Sequence, residues 1–332
     1  MRNIAKVSVC IPVYGVEKYI EKCARTLFEQ TLQEIEYIFV DDCTPDRSIE
    51  ILQNVLEDYP HRKEQVKIIH HEKNSGLVAA RNTALKHVSG EYVIHCDSDD
   101  WVELDMYETM YNKAKETDAD MVYCSFVWEI SQEKQIISSP HVIDDPSEFI
   151  EQMYACCRSV GVWDKLYKRD IALHKNIKCP KEIVMYEDLL RNTLMLQVCK
   201  KISCTMQAFY HYRFNQTSIC NKNKNTEKRL FNIEMIKKIF LIIENECHGS
   251  SKFISKRKCI ELLFCIQQGG MAPYYKEIFP EVQKEILKTN IRIDIKIILL
   301  IAKYSYRIAF CFEHVRLLMQ KGINIFRKNR IG

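Results

Sequence analysis

Short apolar runs alternate with amphipathic stretches through the first 127 residues, and this alternation constrains the fold more than any other feature of the chain. The runs have strand length, and the stretches between them repeat apolar residues at helical spacing. That is the pattern of βαβ units feeding a largely parallel sheet. Strands are expected at Val7–Val13, Glu36–Asp41, Val66–His71, Glu91–Cys96 and Asp120–Val127. Of the intervening helices, Glu17–Gln30 sets Ile20, Cys23, Ala24, Leu27 and Phe28 on one side, and Ser48–Tyr59 does the same with Ile51, Leu52, Val55 and Leu56. Thr44, Pro45 and Asp46 read as a helix start, with a capping oxygen, an early proline and an acid near the positive end.

Beyond Trp128 the pattern loosens into a polar connection to Ser139, a helix around Pro146–Cys157 and the stretch Val162–Lys168. Glu187 and Asp188 open a further helix running to about Val198, and a strand-like segment ends in Tyr210, His211 and Tyr212. A Lys- and Asn-rich linker, Asn221–Lys228, precedes a helical remainder. A chain of 332 residues with 47% hydrophobic content can bury a full core and has room for about two domains. The division expected is residues 1–220, split at residue 127 into two halves, followed by a basic helical region, 221–332.

Charge follows the same division. Residues 221–332 hold 22 Lys+Arg against 10 Asp+Glu, and residues 1–220 hold 26 against 34, so a cationic tail follows an anionic body. The tail has no nucleic-acid motif, and its cations alternate with Ile, Leu, Phe and Tyr. That pattern fits either a helix lying on an anionic membrane or a solvated helical face. No uncharged stretch there approaches the roughly 20 residues needed to cross a bilayer. The fifteen cysteines include no CxxC pair, many lie in apolar runs, and nothing at the N-terminus resembles a signal peptide, so they are read as reduced thiols of a cytoplasmic protein.

Open α/β sheets bind ligands where their strands end. Here Tyr14 follows the first strand, Asp41 and Asp42 end the second, Asn74–Gly76 follow the third, and Asp97, Ser98, Asp99 and Asp100 follow the fourth. Three carboxylates in four residues repel one another unless a cation or hydrogen-bond donors compensate them, so the acidic tip is either a site for a divalent metal or sugar hydroxyls, or a polar turn before a helix. Neither GxGxxG nor GxxxxGK[ST] is present, so a nucleotide would need a metal in place of a glycine cradle. An EF-hand fails because Val102 stands where its glycine is required.

The runs VSVCIPVYGVEKYIEKC, EYIFVDDCTPDRS, NSGLVAARNTAL and GEYVIHCDSDDWV together resemble the inverting glycosyltransferases of family 2, and VWDKLYKR, VMYEDLLRNTLML and FYHYRFNQTSI extend the resemblance to about residue 218. The resemblance implies the GT-A fold, a Rossmann-like α/β sheet flanked by helices, here with a C-terminal helical appendage. It also implies transfer of a sugar from a UDP-sugar to a hydroxyl of a glycan or lipid-linked saccharide in polysaccharide assembly, with Mn²⁺ or Mg²⁺ as cofactor. Pro12 and Tyr14 would line the base pocket, and Asp42 would accept the uracil imide, with Asp41 orienting the loop. Arg81 would reach the nucleotide, or else form a surface ion pair. Asp97 would meet the ribose or the metal through water, Asp99 would ligate the metal, and Asp100 would share either task.

His211 is a further metal ligand or a structural histidine, and Trp163 and Asp164 either shape the acceptor pocket or lie in the core. Asp188 matches the catalytic base, provided that burial or Glu187 offsets the pKa-lowering effect of its helix N-terminus. A catalytically silent scaffolding subunit would have no need of Asp188. A nucleotidyltransferase would need an early basic loop, which Tyr14–Glu17 does not offer.

Overall fold

The computed structural model describes residues 5–131, 134–138, 142–174, 177, 179–213, 226–247, 249–268 and 270–328. It divides into two compact units, residues 1–216 and 217–332.

The first unit opens with strand β1 (Val7–Val13), helix α1 (Ile20–Phe28), β2 (Ile35–Asp41), α2 (Ser48–Glu57), β3 (Val66–His70), α3 (Leu77–Leu85) and β4 (Tyr92–His95). Every residue of β1 and all but the last of β2 are buried, as expected of strands covered on both faces. The anticipated faces of α1 and α2 pack on this sheet, including Ile20, Leu27, Phe28, Leu52 and Val55. Helix α2 starts at Ser48 without a side-chain cap, so Thr44–Asp46 do not begin it as expected. They tie loops together instead: Gly15 N–H donates to Thr44 Oγ1 (2.8 Å), and Glu17 N–H donates to Asp46 Oδ2 (2.9 Å).

Then follow β5 (Trp101–Val102), α4 (Met106–Thr117), β6 (Met121–Ser131), β7 (Lys134–Ile137), α5 (Pro146–Tyr154), β8 (Lys165–Lys168), α6 (Arg169–Ala172), α7 (Glu187–Val198) and β9 (Ile202–Arg213). The supposed polar connection after Trp128 contains β7, which pairs antiparallel with β6. The sheet runs β3-β2-β1-β4-β8-β6-β9-β5, with β7 on the side of β6. Strands β1 to β4 are mutually parallel, β6 and β9 are parallel to each other, and β8 is antiparallel to both β4 and β6. This mostly parallel, helix-flanked sheet is the fold expected, with an antiparallel strand inserted at its middle.

The second unit is helical: α8 (Thr226–Glu246), α9 (Ser251–Gln268), α10 (Pro280–Glu285), α11 (Ile293–Tyr304) and α12 (Tyr306–Lys328). Most of the expected linker, residues 221–225, lies outside the described residues. Among the described residues, no helix is long and apolar enough to cross a membrane.

Candidate active site

The first two strand tips form one strapped platform. Tyr14 is 50% exposed beside Gly15, so its ring is open to a ligand, whereas Pro12 is buried and its carbonyl accepts from Ser98 Oγ (2.6 Å). Asp41 accepts from Thr44 N–H and bonds His70 Nδ1, so it holds its own loop, as expected. Asp42 is 3% exposed and accepts from the N–H groups of Ser75 (2.8 Å) and Gly76 (2.7 Å) while bonding His71 Nδ1. Gly76 caps α3 at φ +88°, a conformation that glycine adopts without steric cost. Asp42 therefore joins the second and third strand tips.

The acidic tip is shaped from the far side of the sheet. Tyr210 on β9 accepts from Asp97 N–H (3.0 Å) and donates to Asp100 Oδ2 (2.7 Å). Arg213 adds its N–H to Asp100 Oδ1 and its Nε–H to the Asp99 carbonyl. Asp100 is 2% exposed with both oxygens occupied, so the metal role considered for it does not fit. Burial, together with Asp99 and Asp97, holds its carboxyl well above the usual carboxylate range. Asp97 and Asp99 remain partly exposed. Sequence reasoning missed Tyr210 and Arg213 as the residues that build this turn.

His211 likewise departs from the metal-ligand expectation. Its Nδ1 bonds Glu129 and its Nε2 bonds Glu103, both at 2.7 Å, and its ring stacks on Trp101 at 5.0 Å. The structural alternative holds, and β5 is pinned to β9 by this contact. Trp163 is 6% exposed and stacked on Tyr210 (4.4 Å), and buried Asp164 pairs with fully buried Lys165 (2.6 Å). Both belong to the core and not to an acceptor pocket.

Arg81 is the centre of the arrangement. It is 1% exposed, and its guanidinium pairs with Asp97 (2.8 Å), Glu187 (3.3 Å) and Asp188. It is therefore neither a surface ion pair nor free to reach a nucleotide, and instead joins the acidic tip to the start of α7. Tyr186 precedes that helix at φ +63°, a left-handed conformation that costs about 1–3 kcal/mol in a non-glycine residue and aims the two acids at Arg81. Burial pushes the Asp188 carboxyl up to about 7, with Arg81 opposing and Glu187 and Asp97 adding to the rise. The side chain keeps 19% exposure, so an incoming hydroxyl can meet it.

A divalent metal is implied by the resemblance. Among the described residues, no group of three His, Cys, Asp or Glu side chains is placed to hold one. A cation bound through one or two carboxylates plus substrate phosphates needs no such group, and the partly exposed Asp99 and Asp97 fit that donor set.

The uncharacterized glycosyltransferase EpsJ of Bacillus subtilis is 33% identical over 223 residues, covering 65% of this chain and 63% of that protein. The cholesterol galactosyltransferase of Borreliella burgdorferi is 27% identical over 97% of this chain and 92% of its own length. S. aureus TarS 1-349, solved in complex with UDP-GlcNAc, has the same fold at a TM-score of 0.69, with 19% identity over 94% of this chain and 92% of that one. The family described as Glycosyl transferase family 2 matches residues 8–186, more than half of the sequence. The chain belongs to glycosyl transferase family 2.

Proposed function

We propose that this protein transfers a sugar from a UDP-sugar to a hydroxyl of a glycan or lipid-linked saccharide, inverting the anomeric carbon. One observation carries the reading: a single buried guanidinium, Arg81, binds both Asp97 of the acidic tip and Asp188 at the start of α7, which supports reading the two as neighbours in one site. Inversion requires the acceptor oxygen to attack from the side opposite the departing diphosphate. Asp188 takes the hydroxyl proton as that oxygen attacks, and a carboxyl near 7 is matched to this work at neutral pH. Tyr14 stacks on the base and Asp97 orients the ribose, while Arg81 holds Asp188 in place and balances its charge. Mn²⁺ or Mg²⁺ held by Asp99 would neutralise negative charge on the diphosphate. The relatives support the donor class: TarS is solved with UDP-GlcNAc.

The test is a panel of UDP-sugars with Mn²⁺, with UDP release followed in the presence and absence of saccharide acceptors. Acceptor-stimulated release is expected, and UDP binding without any release would favour the scaffolding alternative.

Residues 1–127 are the donor half, and 128–220 carry the base and the acceptor side. The basic tail docks on an anionic membrane surface. In support, Ile293, Ile297 and Tyr304 on α11 and Ile308, Phe312 and Val315 on α12 are all at least 49% exposed, with Arg292 and Arg307 beside them. Deleting residues 293–332 should move the protein from membrane to soluble fractions, and unchanged fractionation would remove this idea.

A further inference from the structure

Arg191 has no work in the mechanism above, yet it lies buried on α7 one turn beyond Asp188. It is 2% exposed, and its one hydrogen bond among the described residues runs to Asn82 Oδ1 (2.8 Å). Its Nε is buried without a partner, and no carboxylate among the described residues lies within ion-pair distance. A buried cation without a counter-charge costs several kcal/mol, so folded chains pair such groups or leave them for a ligand. Arg81 pairs directly with three carboxylates, whereas Arg191 pairs directly with none among the described residues and feels Asp188 only from beyond ion-pair distance.

Arg191 lines a cleft of about 730 Å³ between α3 and the segment that follows α6. Along α3 the lining includes Ala79, Asn82 and Thr83, which with Lys86 just past the helix end share one helical face, and Leu85 beside them. Among the described residues, the other charged groups of the lining are Lys86, Lys181 and His71, and none is an acid. His71 is committed to Asp42 and Thr83, so the lysines and Arg191 are the groups left to meet an anion. Apolar side chains, Leu173 and Ile177 among them, form much of the remaining wall. Neither Tyr14 nor any residue of the acidic tip lines it, whereas His71 and Ser75, which hold Asp42, do, so the cleft borders the donor platform from the side of α3.

We infer that this cleft binds a phosphate-bearing ligand, with Arg191 as the buried counter-charge and Lys86 and Lys181 as the outer contacts. A phosphate has the charge and the several acceptor oxygens that a guanidinium and two ammonium groups match, and the apolar wall suits whatever the phosphate is attached to. Resting on the proposed function, the source assigned is the acceptor's own phosphate, which would set its sugar hydroxyl toward Asp188.

The test measures inorganic pyrophosphate binding to the full chain, with the donor site saturated by UDP and divalent metal removed by a chelator. Binding is expected in the wild type. In Lys86→Gln/Lys181→Gln, two exposed positions that leave the core intact, it should weaken by at least about tenfold through the loss of two solvent-exposed charge-assisted contacts, with UDP affinity unchanged. Arg191→Gln should weaken it at least as much. No pyrophosphate binding at saturating UDP, or wild-type affinity in the double lysine variant, would overturn the inference whatever the enzyme's activity. A second arm compares KM for a phosphorylated saccharide acceptor and its dephosphorylated form. A rise confined to the former assigns the phosphate to the acceptor, and no rise overturns that assignment.

Discussion

Asp188→Asn is the perturbation that bears hardest on the mechanism. The wild-type carboxyl titrates near 7 because burial disfavours its charge and Glu187 and Asp97 add repulsion, against the pull of Arg81. With that value the base is about half ionised at pH 7 and about one-tenth ionised at pH 6, so kcat/KM should fall about tenfold per unit below 7. Asparagine fits the same space but accepts no proton. Loss of a general base removes about 10²–10⁴-fold of rate, or about 3–5 kcal/mol of barrier lowering.

Acceptor-dependent UDP release followed from pH 5.5 to 8.5 should show that acid limb in the wild type, with only a weak, flat residue in Asp188→Asn. UDP affinity should stay within severalfold. Glu187→Gln removes a like charge and should move the limb to lower pH. Stability follows with its own sign. A carboxyl raised in the native state binds more protons there than in the unfolded chain, between the ordinary carboxylate range and about 7, so its contribution declines as pH rises through that window. A flat wild-type profile, or an asparagine variant within tenfold of the wild type, would refute the assignment.

Arg81→Met leaves Asp97, Glu187 and Asp188 facing one another without a cation; urea unfolding at pH 7 should show a loss of about 3–5 kcal/mol that shrinks toward pH 5 as the acids protonate, and unaltered stability would contradict the hub. His211→Gln should lower stability by about 1–3 kcal/mol through its two glutamate contacts while Mn²⁺ affinity in the presence of UDP stays unchanged, and a large fall in that affinity would restore the ligand role. Trp163→Ala should cost about 3–5 kcal/mol by calorimetry with no change in acceptor KM, whereas a raised KM at unchanged stability would return Trp163 to an acceptor pocket.

The parallel half of the sheet was legible because its strands are continuous apolar runs and its helices keep their period. Those signals are local, and β1 to β4 lie within a residue or two of their expected bounds. Strands β5, β7 and β8 span two to four residues each, too short for any periodicity, and the pairing of β5 and β8 is decided by partners far away in sequence. The site divides the same way. That acids gather at the strand tips could be read from the chain, but which acids face solvent could not, because Tyr210 takes Asp100 inward from 110 residues further on. In the sequence Arg81 reads as a nucleotide contact or a surface ion pair, and not as a buried hub, since its partner Asp188 lies 107 positions away. For His211, strand alternation separated it from Tyr210 and Tyr212, but nothing local revealed Glu103 and Glu129 on either side.

The stereochemical outcome tests the central claim most directly. With a UDP-sugar that is α-linked to its diphosphate, proton NMR of the product formed by the wild-type protein should show the new glycosidic bond in the β configuration from the first turnover. An α-linked product would mean that the sugar is not displaced from the side opposite the diphosphate, and Asp188 could not be the base described here.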